Sequence, residues 1–246
     1  MYDPNARLKA QKSEQRKMLL FFGFVAAFFL FFNWSEREDF TVSDAECEVL
    51  NHLWSDKYQQ DFSFSDNWAA APFECNSKQS GMVRALKFID DLDGDAGEQT
   101  NQFSFYQWAR SQKPVFNKQL LFSLMGRTLF ADRTIIISDG ALIENNPVAV
   151  AGILVHELRH LEQRFNSHVP CLSDPKITCD AKLEPEPETG GAYSFNMYFY
   201  HHIRQSANAS RFEKKLARKQ MQVIFDKRFN QVPAGSAQKF DLNDPA

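Results

Sequence analysis

The sequence predicts an α+β domain that is mostly helical and is preceded by one N-terminal transmembrane helix. Three observations support this class. An apolar segment occupies residues 18–34. Several later stretches repeat apolar residues at helical spacing, and one β-branched run, Thr134–Ser138, has the composition of a buried strand. The net charge of −3 supplies no basic field, so no nucleic-acid partner is predicted.

The apolar segment has the features of a signal anchor. It carries no charged residue between Met18 and Phe32, which is short for a membrane span but tolerable. Basic residues precede it and an acidic-leaning stretch follows, so residues 1–17 are predicted to be cytoplasmic and the main domain periplasmic or extracellular. A cleaved signal peptide and a buried apolar helix are the alternatives. No small-residue cleavage site follows the run, which favours the anchor.

Four cysteines follow the anchor, at Cys47, Cys75, Cys171 and Cys179. Four cysteines allow three pairings, and the sequence alone does not choose among them. Proximity favours Cys171–Cys179 and therefore Cys47–Cys75. Disulfides would be consistent with a domain outside the cytoplasm.

The chain is predicted to divide into five segments. These are a cytoplasmic tail at 1–17, a transmembrane signal anchor at 18–34, a juxtamembrane segment at 35–75, a folded domain at 76–232 and a flexible tail at 233–246.

Within the folded domain the elements follow from periodicity and turn chemistry. Helices are predicted over 80–92, about 103–110 and about 117–125, and the strand Thr134–Ser138 ends in the turn residues Asp139-Gly140. Asn146-Pro147 is a strong helix start, and the helix should continue to about Phe165. Prolines and two cysteines make 168–187 a loop. Further helices are expected over about 188–204 and 211–229.

The helix that begins at Asn146-Pro147 carries the most informative motif of the chain, HELRH at 156–160. Residues four apart share one helix face, so His156 and His160 can present two imidazoles to one ion. Glu157 is adjacent to the first of them and can reach a water without binding the metal. An ordinary surface helix is the alternative, but the uncharged run before His156 predicts burial, where such polar groups need partners.

With its strand followed by an HExxH helix, the sequence resembles the zincin metallopeptidases. The resemblance implies that His156 and His160 bind Zn²⁺ and that Glu157 is the general base on the zinc-bound water. It also implies that the preceding strand, Thr134–Ser138, lies at the sheet edge and holds the substrate backbone. The metzincin branch is excluded, since Gln163 and Asn166 stand where glycine and histidine are needed.

The remaining gluzincin-like branch takes its third metal ligand from a glutamate on a later helix. Glu184 and Glu186 each precede a proline, which disfavours helical geometry. Glu188 follows Pro187 and can enter the first turn of the next helix, so it is the predicted third ligand, with Glu186 second. His168 is interpreted as an ordinary loop residue.

Together these features predict a membrane-anchored zinc metallopeptidase that hydrolyses polypeptides outside the cytoplasm. Zinc would activate a water and polarise the scissile carbonyl. The alternative is a membrane-tethered metal-binding interaction domain without turnover. The intact Glu157 favours the enzyme, because a structural metal site needs no base.

Overall fold

A computed structural model describes residues 41–94, 103–119, 126–143, 146–165, 167–184 and 186–243. Within these ranges the protein is mostly helical with a small sheet, which confirms the α+β class. None of the helices in these ranges is long and apolar enough to cross a bilayer. The predicted anchor at 18–34 and the cytoplasmic tail at 1–17 lie outside the described residues.

The described α-helices of four or more residues are α1 (Asp44–Leu53), α2 (Asp66–Ala69), α3 (Lys78–Asp93), α4 (Phe105–Ser111), α5 (Asp139–Ile143), α6 (Pro147–His160), α7 (Ala192–Gln205), α8 (Arg211–Lys227) and α9 (Ser236–Lys239). Shorter or irregular helical segments are a π-helical turn (Trp54–Tyr58), an α-helical turn (Gln59–Asp61) and a 3-10 turn (Gln163–Phe165). The described strands are β1 (Ser63–Phe64), β2 (Val115–Gln119), β3 (Gly126–Leu129), β4 (Thr134–Ser138), β5 (Val169–Pro170) and β6 (Thr178–Cys179).

Four strands form one sheet in the order β1-β2-β4-β3. β1, β2 and β4 are parallel, with Phe116 opposite Ile135, and β3 runs antiparallel to β4, with Thr128 opposite the same Ile135. Every residue of β4 is buried, as its β-branched composition predicts. The strand assignment of Thr134–Ser138 is therefore confirmed.

Two sequence expectations about this sheet are wrong. β4 lies in the interior of the sheet, between β2 and β3, so the edge strand next to it is β3. Residues 117–119 of the helix expected at 117–125 belong instead to β2, which pairs with β4 and has the Phe116 side chain fully buried; the rest of that expected helix lies outside the described residues. Tertiary pairing here overrides a weak helical pattern.

The segment predicted to be juxtamembrane contributes to the same core as the rest of the domain. α1 continues through a π-helical turn, Trp54–Tyr58, and places Leu50, Trp54 and Tyr58 in the core. At the other end, Phe240 is also buried, and Arg204 donates to its carbonyl oxygen over 3.0 Å. Core residues thus lie on both sides of the predicted 76–232 boundaries.

Both favoured disulfides are present. Cys47–Cys75 joins α1 to the segment before α3, and Cys171–Cys179 spans the β5–β6 hairpin. The predicted pairing is therefore confirmed. The second bridge closes the loop between α6 and α7, the two helices that carry most of the site described next.

Candidate metal centre

α6 is the central helix of the domain, and its start follows directly from the sequence. The side chain of Asn146 accepts from the backbone N–H of Ala149 over 3.1 Å, and Pro147 occupies the first helical turn. Its apolar residues pack into the core, while Gly152 makes room for Tyr200 of α7. A Cβ at position 152 would lie 1.8 Å from the Tyr200 hydroxyl oxygen. The two helices can therefore pack closely beside a shared cleft.

Three imidazoles converge at the C-terminal end of α6. The Nε2 atom of His160 lies 3.3 Å from Nε2 of His156 and 3.0 Å from Nε2 of His168, and the His156–His168 distance is 3.1 Å. The spacing of four residues brings the first two together, as predicted. His168 comes from the loop that enters β5.

The hydrogen bonds of the Nδ1 atoms of His160 and His168 show which ring nitrogen carries the proton. Nδ1 of His160 lies 2.8 Å from the carbonyl oxygen of Phe165, and Nδ1 of His168 lies 3.2 Å from a carboxylate oxygen of Asp180. Both partners accept only, so each Nδ1 carries a proton, and a ring that holds only this proton presents a lone pair at Nε2. Two lone pairs 3.0 Å apart cannot share a hydrogen bond.

A cation between the three nitrogens would satisfy all of them. Ligand nitrogens arranged tetrahedrally at zinc-like distances are roughly 3.3 Å apart, close to the separations found here. Among the described residues, His156, His160 and His168 form the group of potential ligands that lie within reach of one ion. The donor set therefore fits a divalent metal that accepts imidazoles, and leaves a fourth position open to the cleft.

The protonation of two of the histidines also suits a metal. Burial lowers the pKa of His156 well below its ordinary value, with neighbouring His160 and His168 acting in the same direction. Burial likewise lowers the pKa of His160 to about 4. Both rings are therefore neutral near pH 7, which is the form that coordinates a metal.

Asp180 joins the third histidine to the start of α7. Its Oδ1 accepts from His168, while Oδ2 accepts from the backbone N–H of Ser194 over 2.8 Å. Gly191 is required beside it, since a Cβ there would lie 2.6 Å from Oδ2 of Asp180. The carboxylate thus orients the imidazole and caps a helix N-terminus at the same time.

Glu157 lies beside the histidine cluster and under the edge strand β3. Its side chain is buried, and burial raises its pKa from 4.5 to about 7, although a hydrogen bond from Thr128 acts in the opposite direction. The Thr128 hydroxyl oxygen is 2.8 Å from Oε2 and 2.8 Å from the carbonyl oxygen of Glu157. A Cβ at Gly126 would lie 2.9 Å from Cγ of Glu157, so β3 passes directly over the carboxylate.

The structure does not bring Glu188 to the histidines. α7 begins at Ala192, with Gly191 as its N-cap, so Glu188 lies in a turn before the helix and its side chain is exposed. The backbone carbonyl of Glu188 instead accepts from the buried guanidinium of Arg159. Glu186, the second candidate, is likewise exposed and lies 3.6 Å from Lys239.

His168 is the residue that the sequence reasoning missed. It lies in a loop, where no helical or strand period relates it to HELRH. The signal that was available is the hairpin: His168 and Asp180 stand just outside the strands β5 and β6, so pairing of these strands brings the two residues together. The disulfide Cys171–Cys179 closes the same hairpin.

The cluster opens into a cleft of about 720 Å³. Residues of β3, α6, α7, the C-terminal part of α8 and the segment before β6 line it. Glu157 and all three histidines line it. No family model, curated protein or solved structure matches this chain, so the geometry and chemistry of this cleft carry the functional argument.

Proposed function

We propose that this protein is a zinc-dependent metallopeptidase in which His156, His160 and His168 bind the metal and Glu157 is the general base. One observation carries the proposal. Three imidazoles converge on one point of an open cleft, two of them with a pKa lowered by burial, and a buried carboxylate with a raised pKa stands at the adjacent helix position. This ligand set replaces Glu188 with His168, and it departs from the gluzincin pattern that the sequence predicted.

Zinc is the metal that this arrangement favours. Three protein ligands with an open fourth position are typical of catalytic zinc, whereas structural zinc is closed by four protein ligands. When bound, the ion would supply Lewis-acid activation of water and of a carbonyl group.

Glu157 would contribute the proton transfers of hydrolysis. A base works best when its pKa is near the working pH, and a value of about 7 satisfies this condition. Glu157 would accept the proton of the attacking water and pass it to the leaving amine. Thr128 would hold the carboxylate in place through its hydroxyl group.

A polypeptide substrate is favoured by the position of β3. This strand is the last of the sheet among the described residues, and it pairs only on its β4 side there. An extended peptide could add to its other edge and pass over Glu157. β3 therefore takes the role that the sequence reasoning gave to Thr134–Ser138.

We also propose that the domain acts outside the cytoplasm, anchored by the apolar segment at 18–34. The two disulfides support an oxidising compartment, since such bridges are rare in the cytosol. The charge asymmetry around the segment supports the orientation.

A Glu157→Gln variant of the full chain tests the proposal that the protein is a metallopeptidase. We expect it to retain zinc and to lose hydrolysis of a denatured protein substrate by a factor of about 100 or more. Glu188→Gln is the matched control, because it makes the same chemical change at an exposed position outside the cleft. A wild-type protein that binds zinc and hydrolyses nothing would favour the metal-binding interaction domain.

A further inference from the structure

The cleft around the histidines carries an excess of positive charge. Three cationic side chains line it, those of Arg127, Lys176 and Arg228, against the single carboxylate of Glu157. None of the three has an ion-pair partner among the residues that the structure describes, although arginine and lysine elsewhere in the domain are commonly paired. The cleft is therefore suited to an anionic group.

Arg228 is the most firmly positioned of the three. It is the C-cap of α8, and its carbonyl oxygen accepts from the backbone N–H of Asp180 over 3.0 Å. Its Nη1 donates to the carbonyl oxygen of Thr178 over 3.1 Å, and its guanidinium lies 5.1 Å from the centre of the Tyr193 ring. Two elements therefore fix the position of this charge, which reduces the entropy lost when a ligand binds.

Only one aromatic ring separates this guanidinium from the metal ligands. The Tyr193 ring that it contacts is stacked on His168, with ring centres 4.6 Å apart, and lies at the same centre-to-centre distance from His156. A group bound by Arg228 would thus lie within one or two residues of a peptide bond at the histidine cluster. The contact with Thr178 uses one donor, and a guanidinium carries five.

We propose that Arg228 is a specificity-determining residue that binds a carboxylate of the peptide substrate close to the cleaved bond. This inference rests on the proposed peptidase function. The carboxylate could belong to an aspartate or glutamate side chain or to the free C-terminus of the peptide. Arginine suits either source, because its planar donors match the two oxygens of a carboxylate. Arg127 and Lys176 are exposed and add to the attraction without fixing its geometry.

The experiment uses the zinc-loaded full chain with Glu157→Gln, immobilised, so that peptides bind and are not cleaved. The probe is a randomised octapeptide library, prepared once with free C-termini and once with C-terminal amides. Retained peptides are identified by mass spectrometry. Three further proteins each add one substitution to Glu157→Gln, namely Arg228→Gln, Arg228→Lys or Lys219→Gln. Lys219→Gln is the control, because it removes one charge from an exposed side chain of α8 outside the cleft.

We expect a carboxylate at one position to be enriched about tenfold among the retained peptides, because one charge-assisted hydrogen bond changes a binding constant by roughly this factor. Enrichment of aspartate and glutamate in the amidated library would identify a side-chain carboxylate, and enrichment of free acids over amides would identify the C-terminus. Arg228→Gln should abolish the preference, Arg228→Lys should keep part of it, and Lys219→Gln should leave it unchanged. A purely structural Arg228 would change retention without changing charge preference.

Retention that is indifferent to peptide charge, or a preference that survives Arg228→Gln, would overturn the inference and leave the metallopeptidase proposal standing. Failure to retain any peptide would overturn it as well. In that case the zinc content of the immobilised protein shows whether the proposed metal site has failed with it.

Discussion

The Asp180 carboxylate accepts from Nδ1 of His168 over 3.2 Å, which couples the loop-borne member of the histidine cluster to the helix that Asp180 caps. This pair explains how a loop residue is held in position. It also explains why Gly191 precedes α7, since any side chain there would meet the carboxylate. The histidine cluster and the start of α7 therefore depend on one buried side chain.

Replacing Asp180 with asparagine should separate these two roles. An amide has a single acceptor oxygen, so it can cap Ser194 but cannot also accept from His168. We expect zinc affinity to fall by a factor of about 10 to 100, the range for loss of a ligand's hydrogen-bond partner. The free energy of unfolding of the metal-free protein should change by only about 1 kcal/mol. Competition with a chelator and denaturant titration measure the two quantities.

The two disulfides should have different effects on metal binding. Cys171–Cys179 closes the hairpin that carries His168 and Asp180, whereas Cys47–Cys75 joins α1 to the segment before α3, and neither of these lines the cleft. Each bridge should contribute about 3 kcal/mol to the free energy of unfolding by the chain-entropy model. We expect the paired serine substitutions at 171 and 179 to weaken zinc binding as well.

The paired serine substitutions at 47 and 75 are the matched control, and they should lower stability and leave zinc affinity unchanged. Equal losses of zinc affinity in both double variants would mean that the hairpin does not specifically position His168. Chelator competition well below the melting temperature of each variant makes this comparison.

Glu157 should destabilise the metal-free domain at alkaline pH. Its pKa is 4.5 when unperturbed and about 7 in the folded protein, so folding opposes its ionisation. Below pH 4.5 the group is protonated in both states and contributes nothing; above pH 7 it costs roughly 3 kcal/mol, from a shift of about 1.4 kcal/mol per pKa unit. Glu157→Gln should therefore stabilise the metal-free protein increasingly as the pH rises from 4.5 to 7.

Denaturant titrations of the metal-free parent and variant at pH 4.5, 6 and 8 measure this difference. The lowered pKa values of His156 and His160 make the folded protein less stable as the pH falls. Taking the difference between parent and variant at each pH removes this contribution. A constant difference across the three pH values would contradict the raised pKa.

Most of the features that the sequence predicts correctly depend on interactions between residues that are close in the chain. α6 follows from the cap at Asn146 and from Pro147, β4 follows from its β-branched composition, and the disulfides follow from the proximity of Cys171 and Cys179. The pairing of His156 with His160 follows from the helical repeat alone. Each of these features depends on residues close together in the chain.

The errors arose where distant segments decide the outcome. The periodicity predicts a helix from about 117, where the structure has the second half of β2, because the residues of this segment alone do not reveal the pairing of Phe116 with Ile135. The sequence predicts Glu188 in the first turn of the next helix, but the structure has it in a turn before that helix, where the backbone carbonyl oxygens accept from the buried Arg159. The sequence does not predict His168 as a member of the cluster, because only the closed hairpin brings it to His156 and His160.

The central claim is that three histidines, and no glutamate of the 184–188 segment, hold one zinc ion. The most direct test is the zinc content of the full chain, purified in detergent, beside His168→Ala and Glu188→Ala. We expect about one zinc per chain in the parent and in Glu188→Ala, and little or none in His168→Ala. Zinc that is retained in His168→Ala and lost in Glu188→Ala would contradict the account, as would a folded parent that binds no zinc when it is supplied.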